Sequence, residues 1–286
     1  MEKNPERLRV IENIKNNIKN NNLNGKVEEG DPVVTEEQRE NVILPFDLLK
    51  EKPINKIKRA KARFIVNSYM RKTDKDIEII GLENALNIKG GAIITSNHFH
   101  YFDTTIVKKM SNKTGRKNKF RVVAEEENVF LPGLFGFLFN YYDMLPLSQS
   151  KKYMAEKFMP AIKKLLKKGY FILVYPEEQM WFQYRKPRPL KPGAYHFAVK
   201  NDVPILPCFT EIVEVDNEYD ENGFKKLKYR LHVMEPIYAN KKLNLKDQKE
   251  DLAKRDYELK VRAYEEAYGK KLDYKFKDED IAGYVD

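Results

Sequence analysis

Cysteine is nearly absent: Cys208 stands alone in 286 residues. That excludes an internal disulfide framework and a thiolate zinc site, and it suits a reducing compartment. Long apolar runs are also missing. The longest, residues 129–139, is interrupted by Pro132, Gly133 and Gly136, and a membrane-spanning helix needs roughly 18 consecutive apolar residues. The first residues, MEKNPERLRVIENIKNN, have charge but no apolar signal core. These absences predict a cytoplasmic protein, lying peripherally on the inner face of the cell membrane if it meets a membrane at all.

The apolar fraction is 42%, with 16 Phe, 17 Tyr and one Trp, which is enough to bury a sizeable core and excludes wholesale disorder. Lys and Arg number 53 against 43 Asp and Glu, a net charge of +10. Such an excess points to an anionic partner: nucleic acid, a lipid surface or a phosphorylated substrate.

The pattern divides the chain into four parts. Residues 1–50 read as a polar appendage with one short helix over 5–20, where Leu8, Ile11, Ile14 and Ile18 share a face. Residues 51–75 read as a basic amphipathic helix. From Lys50 to Lys72, nine basic side chains face the single acid Glu51, and Ile54, Ile57, Phe64, Ile65 and Tyr69 keep approximate helical spacing. Such a helix either packs on the core with a solvated basic face or lies on a membrane surface. Residues 76–240 alternate. Strands are expected at 76–80, 92–96, 120–124, 171–175, 204–212 and 229–234, with helices at 104–109, 153–168 and 193–200 between them. This alternation predicts an α/β fold whose mixed, partly parallel sheet is flanked by helices. Residues 241–286 form a charged helical tail. The run 129–139 is apolar all round, which suits a buried core helix or a surface that dips into a membrane or holds an acyl chain.

Chemistry concentrates where strands end. The string Ile93-Ile94-Thr95-Ser96-Asn97-His98 runs a buried strand into a histidine, and Asp103 follows five residues later. The carboxyl end of a strand is where an α/β sheet presents its reactive groups. An imidazole held by a carboxylate is a general base. Alone the spacing is weak, since a His-x4-Asp match arises by chance in roughly one chain in five of this composition. A helix-capping Asp103 beside a loop histidine is the plain alternative, and a metal held by His98, His100 and Asp103 is another, although no second ligand cluster is evident. Phe171-Ile172-Leu173-Val174-Tyr175-Pro176-Glu177 is a second buried strand ending in an acid. In a parallel sheet, Glu177 falls on the same edge as His98. Then come a turn at Lys191-Pro192-Gly193-Ala194 and a proline-flanked strand, Val203-Pro204-Ile205-Leu206-Pro207. Cys208 within that strand reads as a small core residue.

Taken in order, these strings resemble the glycerolipid acyltransferase family, which acylates glycerol phosphate or lysophosphatidic acid. Its Asn-His-x4-Asp block matches Asn97, His98 and Asp103. Its Phe-Pro-Glu-Gly-Thr-Arg-Ser block is matched as Tyr175-Pro176-Glu177. Its Lys-x-Gly-Ala turn is matched by Lys191, Gly193 and Ala194, and its Val-Pro-Ile-x-Pro strand by 203–207. The resemblance covers roughly 75–240. It departs where the family continues Gly-Thr-Arg-Ser, because this chain reads Glu178-Gln179-Met180-Trp181. It departs again at 143–148, where the family has an arginine and this chain has none before Lys151.

The resemblance implies acyl transfer from a thioester, on coenzyme A or acyl carrier protein, to a hydroxyl of a lysophospholipid, with 1-acylglycerol-3-phosphate as the leading acceptor. His98 is the expected base and Asp103 its orienting partner. Glu177, Lys191 and Gly193 are expected to line or order the acceptor site, with Arg185 and Arg188, or Lys151 and Lys152, replacing the missing arginines. No metal or cofactor is expected. The expected partners are the lipid, the acyl thioester, an acyl carrier protein where it carries the acyl group, and an anionic membrane surface. A lipid hydroxyl without a phosphomonoester is the alternative acceptor. Two rival classes remain at this stage: a basic nucleic-acid-binding protein, which no recognised motif supports, and a hydrolase, which lacks a Gly-x-Ser-x-Gly elbow.

Overall fold

The tetrapeptides Ala-Ile-Ile-Thr and Phe-Ile-Leu-Val are buried at every position, and they form the centre of the sheet. The computed structural model describes residues 3–284, and these contain one seven-stranded sheet. In chain order its strands are β1 (Ile77–Ile80), β2 (Ala92–Thr95), β3 (Phe120–Glu125), β4 (Met144–Leu147), β5 (Phe171–Val174), β6 (Ile205–Tyr219) and β7 (Lys225–Val233). In space they run β1-β7-β6-β2-β5-β3-β4. Every neighbouring pair is parallel except β6 and β7. Mixed and mostly parallel, the sheet has the expected α/β class.

Side-chain alternation divides the core in two. Ile93 and Ile172 enter one half with the helices Met159–Lys167 and Gly193–Asn201. Ile94, Phe171 and Leu173 enter the other with the helix Thr104–Lys113. Strands covered on both faces read as continuous apolar runs, which is why the sequence marks them. Cutting Leu173 to alanine would cost about 2–5 kcal/mol.

Two stretches depart from the apolar pattern. β4 is an edge strand containing Pro146, which suits an edge because it has no amide hydrogen to donate. The polar halves of β6 and β7 pair with each other beyond the packed sheet, so no apolar signal announces them.

The basic helix, Pro53–Thr73, turns some of its charge inward. Arg59 and Arg63 reach the buried carboxylate of Asp143 at 2.6 and 3.0 Å, and Arg121 joins them at 2.8 Å. Ala62, Val66 and Met70 are buried, whereas Ile54, Ile57 and Phe64 of the anticipated apolar stripe are 56, 67 and 66% exposed. The apolar run that follows residue 129 likewise does not become a buried core helix. It forms the helix Gly133–Tyr141, in which only Gly136 is buried and Leu134 and Phe135 are exposed. Gly136 is required there, since a Cβ would lie 1.7 Å from the Leu131 carbonyl oxygen. Among the described residues, no helix is long and apolar enough to cross a membrane.

The amino-terminal helix, Pro5–Lys19, docks. Val10, Ile11 and Ile14 bury against Trp181, Phe182 and Phe224 in a separate cluster. The chain after it is stitched to the 177–190 loop. Gly25 accepts from the Trp181 indole at 2.8 Å, and the Asn24 amide donates to the Glu177 and Pro189 carbonyls. In the tail, the helix Leu245–Tyr268 carries Asp256 and Lys260 into the core, where Asp256 accepts from Thr95 and Tyr195 at 2.7 Å. Lys260 donates to both Thr95 and Asp256. This closed polar network fixes the end of β2 three residues before His98.

Candidate active site

β2 ends at Thr95, and Asn97 pins the chain beyond it to β6. The Asn97 amide donates to the Thr210 carbonyl at 3.1 Å, and its oxygen accepts from the Thr210 amide at 2.8 Å. The chain then turns so that Asp103, just before the helix Thr104–Lys113, faces back to His98. Nδ1 of His98 and Oδ2 of Asp103 are 2.7 Å apart. The same oxygen accepts from the backbone amides of Phe99 and His100, at 3.0 and 3.3 Å. Oδ1 accepts from the Tyr175 hydroxyl at 2.6 Å. Burial opposes ionisation of Asp103, but the His98 ring and these donors outweigh it and hold the carboxyl below its usual range. A carboxylate so held fixes the proton on Nδ1 of the neutral imidazole and leaves Nε2 as the basic nitrogen.

His98 opens onto a cavity of about 410 Å³. Its apolar wall includes Val122, Phe139, Met144, Leu147 and Phe197, from β3, β4 and the neighbouring helices. Tyr175 and Thr104 line it at the dyad, and Lys191, Gly193 and Ala194 also line it. A Cβ on Gly193 would meet nothing within 4 Å, so this glycine borders open space. Lys191 and Gly193 therefore line the same cavity as His98.

The other three candidates lie elsewhere. Glu177 is 1% exposed and sits behind the cavity wall. It accepts from the backbone amide of His98 at 3.4 Å and from Arg188 at 2.9 Å. Arg188 is equally buried, its guanidinium 4.5 Å from the Trp181 ring centroid. Arg185 pairs with Glu214 and donates to the Ile212 carbonyl at 3.0 Å. Neither arginine lines the cavity, so neither replaces the arginines missing from the sequence. Met180 does line it, at the position where the family's arginine would fall.

The charged part of the lining is acidic. Glu28, Glu29, Asp31, Glu125 and Glu178 line the cavity, and Lys191 is the basic residue among the lining side chains. Arg7 answers Glu28 at 3.1 Å and Lys26 answers Asp31 at 2.6 Å. Burial, then Glu127 and Asp31, push the Glu125 carboxyl above its usual range. Glu178 occupies the family's glycine position with φ of 67°, a left-handed conformation that costs an ordinary residue about 1–2 kcal/mol.

Tyr175, Thr104 and the amino-terminal wall escaped the sequence reading. An aromatic residue at a strand end is an ordinary core signal, and nothing in 23–31 announces that it folds over the catalytic edge. His100 is not poised as a ligand, since its Nδ1 accepts from the Phe102 amide at 3.2 Å. Among the described residues, no three His, Cys, Asp or Glu side chains form a candidate metal group. Cys208 is buried, and burial pushes its thiol up to about 12, so it is not a ready nucleophile.

Residues 76–211 match the family model described as Acyltransferase. No curated protein matches the chain. Among solved structures, it is similar to the 1-acyl-sn-glycerophosphate (LPA) acyltransferase PlsC from Thermotoga maritima. The two are 19% identical, with 77% of this chain and 88% of that chain covered and a TM-score of 0.44. A fainter likeness, 10% identical with a TM-score of 0.32, is to the pilus retraction motor PilT with bound ADP, over 72% of this chain and 65% of that chain.

Proposed function

Because residues 76–211 match the acyltransferase family model, we propose that this protein moves a fatty acyl group from a thioester to a hydroxyl of a lysophospholipid. The observation that carries the reading is the His98–Asp103 pair opening onto a cavity with an apolar wall. Nε2 of His98 takes the acceptor's hydroxyl proton as that oxygen attacks the thioester carbonyl carbon. The tetrahedral intermediate collapses, the carbon–sulfur bond breaks, and the departing sulfur receives the proton from His98. Asp103 keeps the ring oriented and stabilises the imidazolium between the two transfers. The donor is a thioester of coenzyme A or acyl carrier protein, and the apolar wall suits the acyl chain.

For the acceptor, the charged lining of the cavity bears on the headgroup. A phosphomonoester would meet Lys191, the ion-paired Glu28 and Asp31, and the carboxyls of Glu29, Glu125 and Glu178, while Arg185 and Arg188 are held by Glu214 and Glu177. Each charge-assisted hydrogen bond it lacks is worth about 1.5–3 kcal/mol. This favours a lysolipid without a terminal phosphate over 1-acylglycerol-3-phosphate. The test is a one-pot competition between lysophosphatidic acid and a lysophosphodiester of equal chain length. The diester is expected to be acylated at least as fast. A clear preference for the phosphomonoester would restore it as the acceptor. The exposed Ile54, Ile57 and Phe64 beside exposed lysines support contact with an anionic membrane surface, where the acceptor resides.

A further inference from the structure

Tyr175 touches the base and its carboxylate at once. Its ring stacks on the His98 imidazole with centroids 4.0 Å apart and planes 14° from parallel. Its hydroxyl is 2.6 Å from Oδ1 of Asp103 and 3.0 Å from Oγ1 of Thr104. A phenol has one proton, and here it goes to Asp103, so the Thr104 hydroxyl must be the donor to Tyr175. The three groups form a chain running Thr104 to Tyr175 to Asp103, ending on the carboxylate that holds His98. Burial and the adjacent Asp103 raise the phenol well above its ordinary value, which keeps its proton in place as a donor.

Resting on the acyl-transfer reading above, we propose that Tyr175 is a positioning residue that sets both the orientation and the basicity of His98. The ring, standing at the end of β5, limits rotation of the imidazole about its plane. The hydroxyl draws carboxylate charge toward Oδ1, away from the oxygen that faces Nδ1. A carboxylate shared in this way stabilises the imidazolium less than a free one would, so the base gives up its proton to the departing sulfur more readily. Phenylalanine at this position would supply the stack without the restraint on charge.

Other charged groups near the ring are constant in the comparison. Glu177 faces the His98 backbone amide and is paired with Arg188. His100 lies on the same turn, and burial lowers it. Glu178 and Lys191 line the same cavity. None of them touches the Tyr175 hydroxyl, so removing that oxygen changes the environment of His98 through Asp103.

The experiment is a nuclear magnetic resonance titration of the His98 ring in the full-length protein, wild type against Tyr175→Phe, with kcat measured across the same pH range. The ring titration reads the base whether or not the protein transfers acyl groups, so it separates this proposal from the functional reading it rests on. In Tyr175→Phe the His98 midpoint is expected to move up, because Asp103 is left with its full charge for the imidazolium. The acid limb of kcat should move with it. Thr104→Val removes the outer donor of the chain and should give a smaller shift in the same direction, which keeps the test available if the phenylalanine variant folds poorly. A His98 midpoint that stays in place or moves down in a folded variant would overturn the proposal and leave Tyr175 as a packing residue.

Discussion

Arg188 closes on Glu177 through three donors. Its backbone amide reaches Oε1 at 2.9 Å, and Nε and Nη2 reach Oε2 at 3.2 and 2.9 Å. The pair is sealed from solvent and joins the 177–190 loop to the turn that carries His98, since Glu177 also accepts from the His98 amide.

This relationship makes Arg188 a stability residue. Arg188→Ala leaves a buried carboxylate without its partner, a loss worth about 3–5 kcal/mol. Urea denaturation should show a midpoint lowered accordingly. The Michaelis constant for the acceptor should change little in whatever fraction stays folded. A fully stable variant with a raised Michaelis constant would instead place Arg188 against substrate.

Stability should rise with pH between about pH 7 and 9. Lys50 and Lys108 are buried near Arg59, Arg121 and the carboxylate of Asp143, with Asp47 also beside Lys50. Burial lowers Lys50 to about 7 and Lys108 to about 8. Above those values the folded protein has released protons that the unfolded chain still binds, because a free lysine holds its proton to about 10.4. The unfolded state therefore binds more protons, and stability increases with pH by up to about 1.4 kcal/mol per unit for each lysine. Denaturation at pH 6.5, 8 and 9 measures the slope, and Lys50→Met should flatten it. A slope that Lys50→Met leaves unchanged would mean this lysine keeps its proton in the fold.

Binding to vesicles containing anionic lipid should weaken as salt is added, since exposed charge is screened over about 8–10 Å near physiological ionic strength. The helix Pro53–Thr73 carries exposed Lys56, Lys61, Arg71 and Lys72 on the same element as the exposed apolar residues. Changing these four to glutamine should release the protein at lower salt, read by cosedimentation. Unaltered binding would assign the helix a purely structural part.

The central strands, the shared edge of His98 and Glu177 and the pairing of His98 with Asp103 were legible because parallel strands buried on both faces leave unbroken apolar runs, with polar residues at their ends. What escaped was set by long-range contact. Nothing local tells that Arg59 and Arg63 turn inward to Asp143, some 80 residues away, or that Ile57 and Phe64 turn out. Glu177 and Arg188 looked like substrate ligands because their charge is visible in sequence while their burial against each other is not. The acidic lining joins residues 28–31 to 125 and 178, a grouping that only the folded chain makes. Tyr175 resembled any strand-end aromatic until its hydroxyl was seen on Asp103.

The central claim is tested most directly by following both products of one reaction. Free thiol and acylated lipid would be quantified together for the wild type, His98→Ala and Asp103→Asn, supplied with a thioester and a lysolipid. Wild-type protein should yield thiol and product lipid in equal amounts. His98→Ala should lose about 10²-fold to 10⁴-fold in rate while melting at the wild-type temperature, and Asp103→Asn should lose activity as well. Turnover near the wild-type rate in folded His98→Ala would contradict the account, as would wild-type thiol release with no acylated lipid, which is the signature of a hydrolase.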